Sequence, residues 1–292
     1  MSHVGSEGGP WSACGSYVRG AHSRGDDIPD LDPMYRVLFI SGIMSQCGSS
    51  KLQAFSDVRA HLSAKHGMTA EYTDVPALGS CEYNAEKIAA YIRAHTQNDR
   101  RPYIVVGYSK GSPDLMVAMA TYPDLRTSVA AFLTVAGAVG GSRLPDMIDT
   151  ATRKAMRKLN LEDSNCDQGD GRGIDSLRRP NRMAFLRDHP EPLVPTYALV
   201  AVSDETTTSQ VLLPLWEHES LYSRDQDSQV IDSEGIPPGA NFLGVLKGDH
   251  WAVAMPFELD PANNDLVNQN HFPRTAAVET ALRVVIKDLS AK

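Results

Sequence analysis

The segment Tyr103-Ile104-Val105-Val106-Gly107-Tyr108-Ser109-Lys110-Gly111 constrains this chain more than any other. An apolar β-type run passes without a spacer into G-x-S-x-G, and residues 112 to 122 behind it carry helical spacing. A serine on such a strand-to-helix turn takes a sparsely allowed backbone conformation, and flanking glycines remove the side chains that would collide there. Its hydroxyl is expected to stand exposed at the carboxyl end of the strand. The positive end of the helix points at it, and Pro113 fits the first helical turn, where a missing N–H costs nothing.

The rest of the chain repeats this alternation. Strand character recurs at Tyr35 to Ile40, 71 to 75, 129 to 136, 196 to 202 and 241 to 246. Helical spacing lies between, in Leu52, Phe55, Val58 and Leu62, in Ile88 and Ile92, and finally in Val278, Leu282, Val285 and Leu289. Strands alternating with helices predict an α/β fold with a mostly parallel, doubly wound sheet. Residues 1–33, rich in glycine, serine, aspartate and proline, predict a flexible N-terminal extension to a single domain over 34–292. Residues 143–193 break the rhythm with charged clusters and read as a lid-like insertion above the carboxyl edge of the sheet.

Composition excludes several function classes. With 28 basic and 36 acidic residues the net charge is −8, so no global field attracts nucleic acid. The longest apolar stretch, Val129 to Val139, is interrupted and falls far below the ~20 residues of a spanning helix, so no transmembrane segment is expected. Residues 1 to 20 lack the apolar run of a secretory signal, which points to the cytoplasm. Cys14, Cys47, Cys81 and Cys166 form no C-x-x-C pair and read as free thiols, with a Cys47–Cys81 disulfide left open for an oxidising compartment. The acid-rich run Asp163 to Gly171 lacks the ligand spacing of a calcium loop, and neither metal nor cofactor is expected. Arg153, Lys154, Arg157 and Lys158 alternate with Met147, Ile148, Ala155 and Met156, a pattern for a helix packed over a pocket or touching lipid.

A serine hydroxyl needs a neutral imidazole to take its proton. His250 follows the last strand and the turn Gly248-Asp249, where a base is delivered, and His271 is the next candidate. For the acid, Asp227 lies a loop, a short strand and a turn ahead of His250 and is preferred to Asp204, the runner-up, whose other role is to cap the helix after it. Asp249 is rejected because neighbouring side chains on an extended loop point apart. The oxyanion hole needs two N–H donors: one from Lys110, after the nucleophile, and one from Ile43, with Met44 second, on the loop after the first strand. Met44, Tyr108 and Trp251 would line the substrate site. The Lys110 side chain reads as a solvated helix residue or a cation near the site.

Over about residues 35 to 290 these motifs resemble the α/β-hydrolase superfamily, and within it the lipase/esterase-like serine hydrolases. Gly107-Tyr108-Ser109-Lys110-Gly111 is similar to the lipase and cutinase elbow, and residues 134 to 142 to the strand and Gly-Ser turn leading into a lipase lid. Gln226-Asp227-Ser228-Gln229-Val230 resembles the segment carrying the triad acid, and Gly248-Asp249-His250-Trp251 the aspartate-histidine pair at the base. The chain departs from the pattern where Ser41-Gly42 replaces His-Gly, where Ser228 replaces the glycine after the acid, and where lysine follows the nucleophile. The resemblance implies an α/β-hydrolase fold and a serine hydrolase that cleaves carboxylic esters through an acyl-enzyme, acting on a small-molecule ester or lipid-like substrate. A thioesterase or acyltransferase would use the same triad, and a non-catalytic hydrolase-fold binding protein is a third reading.

Overall fold

Every residue of the strands at Arg36–Ile40 and Tyr103–Tyr108 is buried, as expected of central strands covered on both faces. The computed structural model describes residues 31–43, 53–147, 167–259 and 267–291. Within them six strands form one parallel sheet: β1 (Arg36–Ile40), β2 (Ala70–Thr73), β3 (Tyr103–Tyr108), β4 (Val129–Val135), β5 (Thr196–Val202) and β6 (Asn241–Lys247), in the order β2-β1-β3-β4-β5-β6. The longer helices between and after them are α1 (Ser56–His66), α2 (Cys81–Thr96), α3 (Gly111–Thr121), α4 (Arg179–Asp188), α5 (Leu213–Glu219) and α6 (Arg274–Ser290).

Side-chain alternation along the strands divides the core. Val37, Phe39, Ile104 and Val106 pack with Val58 and Leu62 of α1 and with Val278, Leu282 and Val285 of α6. Leu38, Ile40, Tyr103 and Val105 point to the other face, against Ile88 and Ile92 of α2 and Leu115 of α3. Ser80 starts α2 by accepting a hydrogen bond from the Tyr83 amide at 3.2 Å, an N-cap that satisfies one orphan donor.

The strand order also places the site. The chain steps outward from β1 to β2 and then returns to the opposite side of β1 for β3, so the direction of winding reverses between β1 and β3. The crevice beyond the carboxyl ends at such a switch point is where ligands bind in open α/β sheets. Register pairs Ile40 with Gly107, so the loops after β1 and β3 leave the sheet side by side.

Order begins ahead of residue 34: Leu31 is buried in the core and Asp32 closes a turn by accepting from the Met34 amide at 2.8 Å. Residues 1–30 lie outside the described residues. The second half of the 143–193 insertion is docked on the segments that follow the carboxyl ends of β2 and β4: Gly173 N donates to Leu78 O at 2.7 Å, Ser142 N to Leu177 O at 3.0 Å, and the Asp170 carboxylate accepts from the Ser80 amide and hydroxyl, both at 2.7 Å. Residues 148 to 166, with the charged helix pattern, the first four residues of the acid-rich run and Cys166, lie outside the described residues, as do Cys14 and Cys47. Cys81 is a buried free thiol near Ser176 Oγ, and burial pushes its pKa up to about 11. No helix among the described residues is long and apolar enough to cross a membrane.

Candidate active site

Ser109 follows β3 with φ 52, in the left-handed region that a non-glycine residue rarely adopts. The neighbouring glycines explain how the turn closes. A Cβ on Gly107 would stand 2.9 Å from Ser112 Cα, and one on Gly111 only 2.4 Å from the Ile40 carbonyl oxygen. Helix α3 can therefore press against the end of β1 only through glycine. Gly42, on the loop after β1, approaches the serine equally closely, since a Cβ there would lie 2.8 Å from Ser109 Cβ. Ser109 is consequently 5% exposed and not freely displayed as the sequence suggested.

Ser109 Oγ lies 2.8 Å from His250 Nε2, and His250 Nδ1 lies 2.8 Å from Asp227 Oδ2. With Nδ1–H donating to the carboxylate, Nε2 is left to accept the serine proton. All three residues are buried. Asp227 is held in turn: its Oδ1 accepts from the amides of Gln229 at 3.0 Å and Val230 at 2.8 Å, and its carbonyl oxygen accepts from His250 N at 2.7 Å. The acid loop and the histidine loop are thus joined through backbone as well as side chain.

The other aspartates are occupied elsewhere. Asp204 is exposed and folds back onto its own loop, accepting from the amides of Thr206 and Thr207, both at 2.9 Å. Asp249 accepts from the amides of Ser209, Trp251 and Ala252 at 2.7, 3.0 and 2.8 Å. Burial raises its pKa while these donors lower it, and the contacts shape the loop that presents His250. His271 is exposed.

Tyr108 is buried. Its hydroxyl donates to the His250 carbonyl at 2.7 Å, and its ring sits between His250 and Phe55, with centroids 5.2 and 5.9 Å away. Burial, with the carboxylates of Asp227 and Asp249, pushes the phenol well above its ordinary pKa, so it stays a donor. Trp251 is half-buried beside Phe257. Ile43 is half-buried at the last described position of its loop, and Met44 lies outside the described residues.

Lys110 is not a solvated helix residue. It is 1% exposed, and its ammonium lies 2.6 Å from Asp114 Oδ1, whose other oxygen accepts from Asn84 Nδ2 at 2.7 Å. The i,i+4 spacing of Lys110 and Asp114 was visible in the sequence, but the burial that turns it into an internal pair was not. Gln226 also escaped sequence reading. It accepts from the Ser228 amide and donates to Trp216 O at 3.1 Å and Ser220 Oγ at 3.2 Å, bracing the acid loop from beneath. The Ser109, His250 and Asp227 site offers no group of metal ligands; among the described residues, the one such grouping is His61, His66 and Glu279.

This arrangement, a buried serine-histidine-aspartate chain on a strand-to-helix turn at the switch point of a parallel sheet, defines a fold and site class. The chain has the fold of the α/β-hydrolases. Within that fold the chain is similar to the metagenomic carboxyl esterase MGS0156, with a TM-score of 0.82 and 29% identity over 91% of this chain and 80% of that one. It shares the fold of the mature lipase BlEst2 from Bacillus licheniformis, at TM-score 0.63 and 19% identity over 91% and 96% of the two chains. The same holds for EstA from Clostridium botulinum, at TM-score 0.56 and 11% identity over 93% and 97%. No protein-family model and no curated protein sequence matches the chain.

Proposed function

We propose that this protein is a serine hydrolase of carboxylic esters. The observation that carries this reading is the continuous Ser109–His250–Asp227 chain, with 2.8 Å at both links and the serine strained at φ 52. His250 Nε2 accepts the Ser109 proton as Oγ attacks the ester carbonyl, then returns it to the leaving alkoxide; Asp227 holds the tautomer and stabilises the imidazolium. The amides of Lys110 and Ile43 receive the oxyanion, and water, activated by the same histidine, releases the acyl group. The close approach of Gly42 to Ser109 supports the loop after β1 as the second wall of that hole.

Fluorophosphonate labelling, alongside turnover of p-nitrophenyl esters from acetate to palmitate, tests the reading. Wild type is expected to label and turn over, and Ser109→Ala to lose both. Labelling that survives the substitution rejects Ser109 as nucleophile, and a wild type that neither labels nor turns over is a binding protein.

A further inference from the structure

Helices α1 and α6 lie side by side on one face of the sheet, with Val58 and Leu62 of the first and Val278 and Leu282 of the second in the same core. Beside this apolar seam His61, in the middle of α1, and His66, at its last residue, both face Glu279 of α6. His61 Nε2 lies 2.7 Å from Glu279 Oε2, and His66 Nε2 lies 3.2 Å from Oε1. One ligand atom from each of the three falls within 4.8 Å of the others. A tetrahedral ion with bonds of about 2.0–2.2 Å needs its ligand atoms about 3.3 Å apart, so small side-chain shifts bring these three groups onto one ion.

The surroundings favour coordination. Arg283 donates to Glu279 Oε1 through Nε at 3.1 Å and Nη2 at 2.8 Å, which orients the carboxylate as outer partners of metal ligands do. Lys65, the remaining cation, is 4.0 Å away and largely exposed, so its ammonium can turn to solvent. Two imidazole nitrogens and one carboxylate oxygen match zinc better than magnesium or calcium, which prefer all-oxygen shells.

We propose that His61, His66 and Glu279 bind one zinc ion, with a solvent molecule as fourth ligand, clamping α6 onto α1. The clamp reaches toward the histidine loop, because Arg274, the first residue of α6, donates to Ala252 O at 2.8 Å and pairs with Asp57 of α1 at 3.1 Å. The site stands independently of the hydrolase reading.

The test uses the full chain, stripped with a chelator and titrated calorimetrically with zinc chloride, with melting temperature followed in parallel. Wild type is expected to bind one zinc per chain and to melt about 5 °C higher at a hundredfold excess over Kd. His66→Gln is expected to weaken binding at least tenfold and to abolish the shift. His61→Gln, at a more exposed position, repeats the test if the first variant folds poorly. Absence of stoichiometric binding to wild type, or zinc binding unchanged in both variants, overturns the site.

Discussion

Lys110 and Asp114 face each other at 2.6 Å with neither side chain more than 1% exposed, directly behind the strained Ser109. Removing one member leaves an uncompensated charge in the interior, which costs about 3–5 kcal/mol, whereas replacing both with apolar groups of similar volume is often neutral. Asp114→Ala is therefore expected to lower stability by about that amount, and Lys110→Met combined with Asp114→Leu to recover most of it. Urea unfolding checks both. A double variant no more stable than Asp114→Ala would show that the pair is needed for the fold of the turn itself.

Ser228 has φ 87, and its Oγ is buried without a hydrogen-bond partner among the described residues. Left-handed strain at a non-glycine residue costs about 1–2 kcal/mol, and an unsatisfied buried hydroxyl adds a similar amount, against about 0.5–1 kcal/mol for the extra freedom glycine brings to the unfolded chain. Ser228→Gly is expected to stabilise by about 1–2 kcal/mol, raising the melting temperature by roughly 2–8 °C. A lower melting temperature would show that the serine is held there by a compensating contact.

These two positions mark what the sequence could and could not convey. Continuous apolar runs and helical spacing reported the sheet and its main helices because burial of β1 and β3 on both faces leaves an uninterrupted apolar record. The elbow was legible because Gly107 and Gly111 are required by close approaches that only a missing Cβ permits. The departure at Ser228 was visible as a letter, but its consequence, a strained backbone, is a dihedral angle. Lys110 shows the reverse case: polarity in the sequence suggested solvent, and tertiary packing placed the charge inside against Asp114. Tyr108 is expected from the sequence to line the substrate site; its hydrogen bond to the His250 carbonyl is a long-range contact that strand position does not reveal.

Glu219 is buried beside Arg143, whose Nη1 lies 3.3 Å from it, with Glu234 and Asp227 nearby. Burial, reinforced by the charges on Glu234 and Asp227 and opposed by Arg143, lifts its pKa to about 7. Between the ordinary glutamate value and 7 the folded chain holds a proton that the unfolded chain has lost, so raising pH through that window removes stability. Wild type is expected to lose stability from pH 5 to pH 8 relative to Glu219→Gln, which has nothing to ionise there. Parallel denaturant titrations at the two pH values would reveal it, and an identical pH dependence would place the Glu219 pKa outside the window.

Asp227 and Asp204 separate the proposed acid from its rival. Asp227 is buried and its carboxylate lies 2.8 Å from His250 Nδ1, while Asp204 Oδ1 accepts from Thr206 and Thr207 on an exposed turn. Exchanging a triad carboxylate for an amide leaves the shape intact but lets the imidazole settle in the wrong tautomer, with Nε2 protonated and unable to take the serine proton. Asp227→Asn is expected to cut kcat for a short p-nitrophenyl ester by about 10⁴-fold with little change in KM. Asp204→Asn is expected to stay within about twofold, since it touches no reacting group and keeps a side-chain oxygen for the turn. The opposite ranking in steady-state kinetics would move the acid to the loop after β5 and require the two loops to rearrange during turnover.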